Sequence, residues 1–327
     1  MAVADPERLN RKIRAALAPC SLGQWPTPLE RGAPALARTL GVEALWIKRE
    51  DRSSPRYGGN KVRGLEFLLA GAPPGSVFVT VGGTGSTHCL ATAVHAAALS
   101  CRAALAQFPQ PETATSRAVA AASQAHAALV VRAATRASLP VALLSAWRGA
   151  RRLGSRRWIP AGGAHPRAVV GHLLATLELT RQLPDPPDAI VAPLGTGGTV
   201  AGLLLGIAGL GWPTRVIGVR VAPTLVANRW RATRLARRAR RLLARVGVPL
   251  PAPRSPDIVN GLGRGYGSPT VEGEAARQLA AQHGLVLDST YGAKAFGVLL
   301  RRGTWNVQRV VFWHTFAMPA ALPESMP

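Results

Sequence analysis

The residues that could do chemistry gather around one lysine and one glycine-rich turn. Gly58-Gly59-Asn60-Lys61 follows a strand-like stretch containing Trp46-Ile47 and opens a helical pattern. A lysine at a helix N-terminus sits against the favourable dipole, which should lower its amine pKa toward the neutral, nucleophilic form. The alternative is an exposed, solubilising lysine. The chain has only four lysines, Lys12, Lys48, Lys61 and Lys294, and that scarcity favours a covalent role for Lys61. The turn Gly195-Thr196-Gly197-Gly198-Thr199 follows a buried apolar run and opens a second helix. Its successive backbone N–H groups, the helix dipole and two hydroxyls suit a phosphate monoester. An ordinary tight βα turn would read the same way.

Other chemistries fall away by elimination. There is no Gly-Lys-Ser/Thr, and the third small residue of a dinucleotide fingerprint would fall on Val200. There is no His-Glu-x-x-His, no paired Cys-x-x-Cys and no Gly-x-Ser-x-Gly elbow, so neither a metal centre nor a serine nucleophile is indicated.

The elements that must position these residues alternate between short apolar runs and longer helical patterns. Expected strands are Ala44–Ile47, Val77–Val81, Ala103–Ala106, Leu129–Val131, Trp158-Ile159, Ala189–Ala192, Val216–Val219, Leu285–Leu287 and Val310–Trp313. Most are continuously apolar, as in a parallel sheet covered by helices on both faces. Helices are expected over Lys61–Ala70, Thr87–Leu99, Pro166–Gln182, Thr199–Ala208 and Thr270–His283. This is an α/β architecture. Glycine-rich turns at 82–86, 161–163 and 195–199 follow strands and open helices, where ligands of such sheets bind. Pro249–Pro256 reads as a connecting loop.

Composition bounds the rest. The 327 residues, 47% hydrophobic and 17% charged, suffice for one large domain or two moderate ones. Three scattered cysteines fit a reducing cytosol, and Met1–Leu17 lacks the apolar stretch of a signal peptide. The formal charge of +24 suggests a nucleic-acid binder, but 36 of the 40 basic residues are arginine, as codon bias would produce. The one dense cluster, Arg229 to Arg245, lies in a surface helix and reads as a solvated face or contact surface rather than a nucleic-acid site. Two uncharged stretches, Phe67–Cys101 and Ala189–Thr214, are interrupted by Pro and Gly clusters and read as buried strand, turn and helix, not as membrane spans.

Nine short pieces in order resemble one family across nearly the whole chain. They are Pro26-Thr27-Pro28-Leu29-Glu30, Ile47-Lys48-Arg49-Glu50-Asp51, Gly58-Gly59-Asn60-Lys61, Gly82-Gly83 with Ser86-Thr87-His88, Ile159-Pro160-Ala161-Gly162-Gly163, Gly195 to Thr199, Gly265-Tyr266-Gly267-Ser268-Pro269, Leu287-Asp288 with Tyr291, and His314-Thr315. The chain resembles the 1-aminocyclopropane-1-carboxylate deaminase and D-cysteine desulfhydrase family, within the tryptophan synthase β-like fold type II of pyridoxal-phosphate enzymes. The resemblance implies two domains with open, mostly parallel sheets covered by helices and the cofactor between them. Residues 1–60 and 161–327 would form the large cofactor-binding domain and 61–160 a small inserted one.

The same resemblance implies that Lys61 binds pyridoxal 5'-phosphate covalently and moves the substrate's proton. It implies that Gly195, Thr196, Gly197, Gly198 and Thr199 hold the phosphate, and that Thr87 and Thr315 flank the ring. Ser86, Thr87 and His88 would cradle the carboxylate of a small amino-acid substrate, and Tyr266 and Tyr291 would line its other side. A homodimer is also implied. Three positions depart from the pattern: Thr87 replaces an asparagine, Gly292 replaces the acidic residue or threonine facing the ring nitrogen, and Phe316-Ala317 replaces two glycines. Loss of the carboxylate favours desulfhydrase-like α,β-elimination of D-cysteine, giving pyruvate, ammonia and sulfide. Ring-opening deamination of 1-aminocyclopropane-1-carboxylate comes second, and a degenerate homologue that binds cofactor or amino acid without turnover third.

Overall fold

The computed structural model describes residues 5–301 and 306–319, and among these ten strands form two sheets. The larger sheet runs β1 (Leu29–Arg31), β2 (Ala44–Arg49), β10 (Arg309–His314), β7 (Ala189–Leu194), β8 (Arg215–Arg220) and β9 (Asp257–Asn260). The smaller runs β5 (Leu129–Arg132), β4 (Arg102–Phe108), β3 (Val77–Gly83) and β6 (Arg156–Trp158). Every pairing is parallel except β1 with β2. The interior strands β3 and β7 are buried along their whole length, which is why they read as unbroken apolar runs.

The helices covering these sheets are α1 (Pro6–Leu17), α2 (Pro34–Leu40), α3 (Lys61–Leu68), α4 (Thr87–Ala97), α5 (Ala114–His126), α6 (Leu139–Leu153), α7 (Pro166–Gln182), α8 (Gly198–Leu210), α9 (Arg229–Arg245), α10 (Val271–Gln282) and α11 (Gly292–Leu299). The fully apolar α8 is buried among α7, α9 and β7, and Leu173, Leu203, Ile190 and Trp313 belong to that core. Helix α3 lies against α7 at close range: a Cβ on Gly64 would come within 2.9 Å of that of Ala168. This approach matters because α3 begins with Lys61.

One expected strand is absent and two were missed. Leu285–Leu287 is an extended link between α10 and α11. Its two leucines are buried in the core without a neighbouring strand, so apolarity there reflects packing and not pairing. The missed strands, β1 and β9, are short sheet edges of half-exposed, largely polar residues. Helix α9 matches the expected surface helix. It buries Ala232, Thr233, Leu235, Ala236, Ala239 and Leu243 and turns its arginines to solvent. No helix among the described residues is long and apolar enough to cross a membrane.

Candidate active site

The carboxyl ends of β3 and β7 open on one cleft of about 300 Å³. All the site residues expected from sequence line it: Lys61, the run 86–88, the turn 195–199, Tyr266, Tyr291 and Thr315. They come from six separate stretches of chain, so the fold alone brings them together.

Lys61 is the first residue of α3, and the turn before it is pinned on two sides. Gly59 N–H donates to Glu50 O (2.9 Å) and Asn60 N–H to Thr315 O (3.1 Å). Gly59 holds a left-handed φ of +98°, where a Cβ would press on Thr315 O at 3.2 Å, so this position calls for glycine. The amine of Lys61 donates only to Gly162 O, at 3.3 Å. Burial lowers its pKa to about 8. The direction matches the expectation, and burial is its cause. The other buried lysines are committed elsewhere. Lys48 donates to Thr27 O, Glu178 and Gln182, and Lys294 to Leu262 O (2.8 Å) and Gly265 O (2.9 Å).

The turn at 195–199 leads directly into α8, whose N-terminus carries no side-chain cap. Its first N–H groups therefore remain for an anion. Thr199 Oγ1 accepts from Asn60 Nδ2 at 2.7 Å, which fixes the hydroxyl and leaves its own proton to donate into the turn. Asn60 thus ties the lysine's helix to the 195–199 turn. Gly197 has φ +92°, but a Cβ there would face Ala232 of α9 at 3.5 Å, an ordinary contact. Gly197→Val is expected to weaken cofactor affinity at least about tenfold through backbone strain, not by obstructing the phosphate. Titration of the folded variant with cofactor checks this, and an unchanged affinity would refute it.

On the opposite wall, Ser86 caps α4 by accepting from Cys89 N–H at 3.4 Å. The backbone N–H groups of Thr87 and His88 lie in the first turn of that helix, where such groups lack intrahelical partners. The His88 side chain is held on its Nε2 side. Thr80 Oγ1 gives its proton to Ile159 O (2.9 Å) and so accepts from His88 Nε2 at 2.9 Å, while Nδ1 has no hydrogen-bond partner among the described residues. Burial pushes the ring's pKa down to about 3, and the imidazole stays neutral.

Tyr266 and Tyr291 meet hydroxyl to hydroxyl at 2.6 Å, their rings edge-on. Burial raises both pKa values, Tyr266 to about 12, so each keeps its proton near neutral pH; one lies in the mutual hydrogen bond and the other is left to donate. Their placement depends on two residues that were not singled out for it. Asp288 accepts from the N–H groups of Thr290, Tyr291 and Gly292 (2.7–2.9 Å), which sets Tyr291 at the start of α11. Lys294, one turn further along that helix, holds the loop that carries Tyr266.

No aspartate or glutamate lines the cleft among the described residues. Gly292 does not face it, since a Cβ there would lie 3.0 Å from Asp288 Oδ1 and 3.4 Å from Leu287. Adding a carboxylate at this position would therefore set it against Asp288. Phe316 lines the cleft as expected, beside Thr315, whose hydroxyl has no hydrogen-bond partner among the described residues. Arg136 and Phe108 also line it. Neither had a distinguishing signal in sequence, Arg136 being one of 36 arginines.

Comparison with known proteins agrees with this geometry. A family model described as pyridoxal-phosphate dependent enzyme matches residues 20–315. The chain is 36% identical over 294 residues to nocardicin C-9' epimerase of Nocardia uniformis subsp. tsuyamanensis, covering 84% of this chain and 87% of that one. It is 30% identical over 316 residues to D-cysteine desulfhydrase of Klebsiella pneumoniae subsp. pneumoniae, covering 90% and 92%. Among solved structures, an ACC deaminase homologue superimposes with a TM-score of 0.79 at 28% identity, covering 93% and 94%.

Proposed function

The chain belongs to the family of pyridoxal-phosphate dependent enzymes, and from that premise we propose that it catalyses α,β-elimination on a small D-amino acid such as D-cysteine. The residues fit the cofactor. Lys61 is the one lysine lining the cleft among the described residues, and the uncapped start of α8 offers the phosphate its N–H groups. Bound there, pyridoxal phosphate supplies a conjugated ring that takes up the electron pair left when a bond to the substrate's α carbon breaks.

The chain's own residues account for the remaining steps. Ser86 and the N–H groups of Thr87 and His88 orient the substrate carboxylate. The Lys61 amine, neutral in a large fraction near pH 8, takes the α proton. Tyr266 and Tyr291 keep their protons, and the one not used in their mutual hydrogen bond can be offered as a hydrogen bond to the departing thiolate. The Cβ–S bond breaks with its electron pair on sulfur. The released 2-aminoacrylate tautomerises and takes up one water, giving pyruvate and ammonia. We also propose that residues 61–160 form the inserted domain, supported by the second sheet lying wholly within 77–158. The homodimer and the cytosolic location remain proposals, the first resting on the family resemblance and the second on the three free cysteines.

The carrying observation is the acid-free cleft wall. With the neutral Thr315 as the candidate partner for the ring nitrogen, electron withdrawal is weaker than a carboxylate partner would allow. Expulsion of a thiol should then outpace opening of a cyclopropane. We expect kcat/KM for D-cysteine to exceed that for 1-aminocyclopropane-1-carboxylate, measured as pyruvate and 2-oxobutyrate release. Preference for the cyclopropane would overturn the reading.

A second reading, epimerisation of an α carbon, is supported by the tyrosine pair. It provides a proton-transfer group besides Lys61, and an epimerase is among the relatives. Solvent-deuterium incorporation with loss of chirality and no pyruvate would favour it.

A further inference from the structure

We propose that Arg136 selects substrates whose β-substituent carries an anionic group, which deepens the elimination reading and rests on it. Arg136 lines the cleft and is exposed at its mouth. Its guanidinium lies over the Phe108 ring at 5.6 Å, and Phe108 in turn packs on Tyr266 with ring centres 6.2 Å apart. Arg136 thus stands on the same wall as a tyrosine that faces the substrate. Its side chain has no ion pair and no hydrogen bond among the described residues, and no carboxylate lines the cleft there.

Its backbone is also fixed. Thr135 N–H donates to Ser138 Oγ (3.1 Å) and Ser138 N–H to Thr135 Oγ1 (3.2 Å), a reciprocal pair that encloses Arg136 at the entry to α6. A guanidinium presented from a fixed turn loses less entropy on binding than one on a mobile loop. The cleft therefore has a cationic group beyond the reacting centre, with no aspartate or glutamate among its described lining residues to neutralise it. It would attract a carboxylate, sulfonate or phosphate at the far end of the substrate. D-Cysteine would then be a minimal substrate that leaves this group unused.

The step balances as before. The Cα proton goes to Lys61, and the Cβ–O bond of a serine ester breaks with its electron pair on the departing carboxylate. The 2-aminoacrylate left behind takes up one water to give pyruvate and ammonia.

O-succinyl-D-serine and O-butyryl-D-serine test this in the holoenzyme, because the two esters match in length and differ by one terminal carboxylate. We expect kcat/KM for the succinyl ester to exceed that for the butyryl ester about tenfold, a charged hydrogen bond discounted for exposure. Arg136→Gln should bring the two within about threefold and Arg136→Glu should invert the order, while Arg136→Lys should keep the preference in part. The change in the visible cofactor band within the first moments of mixing with each ester, before pyruvate accumulates, reads binding separately from turnover. Equal affinity and equal kcat/KM in the wild type, or a preference that survives Arg136→Gln, would overturn the role of Arg136 alone. No spectral response and no pyruvate with either ester would overturn the elimination reading, and this proposal with it.

Discussion

Lys61→Ala is expected to abolish covalent attachment of the cofactor and the absorbance band that attachment produces. Borohydride should then trap no adduct, whereas in the wild type peptide mapping should place the adduct on Lys61. Turnover should fall on the order of 10²–10⁴-fold from loss of the proton-transferring amine alone. The geometry singles out this lysine. Lys48 is locked in contacts with Glu178 and Gln182, and Lys294 is bound to two carbonyls. Lys12→Ala and Lys294→Gln should both retain the band. An adduct on Lys294 would refute the assignment. Because burial holds the Lys61 amine near pH 8, the protonated and unreactive form predominates below that value. The rate of reconstitution from cofactor-free protein should therefore rise about tenfold per pH unit up to roughly pH 8 and level off above it. A rate independent of pH between 6 and 8 would show that the amine is not the titrating nucleophile.

Much of this site was legible because its pieces lie where strands end and helices begin, and such junctions leave local traces. Glycine before Lys61, the turn at 195–199 and the run 86–88 each mark a junction that opens onto the cleft. The expected bounds of α7, Pro166–Gln182, coincide with those observed because proline fixes its start and the apolar stripe runs unbroken to its end. What sequence hid was of a different kind. Burial lowers the Lys61 pKa, and its amine meets Gly162 O from a turn remote in sequence, an enclosure that no local pattern records. Asp288 and Lys294 position the tyrosines by bonding backbone groups, and a residue that grips backbone leaves no spacing rule behind. His88 lay at the expected place, yet Thr80 determines which way its ring is used. The unread edge strands and the misread Leu285–Leu287 have one shared cause: strand pairing depends on a neighbour, and the neighbour is remote in sequence.

The largest expected loss of stability comes from Arg63, two residues beyond the reactive lysine on α3. Its guanidinium is 2% exposed and pairs with two carboxylates, Glu50 at 2.7–2.8 Å and Glu178 at 2.7–2.8 Å, while stacking on Trp25 at 3.9 Å. Glu50 is fully buried and also accepts from Thr27 Oγ1 at 2.7 Å. Burial alone would push the Glu50 pKa up, but Arg63 holds it below the usual range, so the carboxylate is ionised in the core. Replacing both partners of such a pair with apolar groups can be nearly neutral. Removing only one leaves an uncompensated charge in a medium that solvates it poorly. Arg63→Met should therefore cost about 3–5 kcal/mol, read as a lower denaturant midpoint with an unchanged slope. Arg63→Lys should recover part of this, since an ammonium cannot span both carboxylates as the planar fork does. Pairing the substitution with Glu50→Gln should also recover part, because the stranded charge is then removed. The network joins the turn after β2, α3 and α7, so its loss should loosen the helix that presents Lys61 and weaken cofactor binding before the protein unfolds. A folded Arg63→Met protein with wild-type stability would mean that water reaches Glu50, contrary to the burial on which the argument depends.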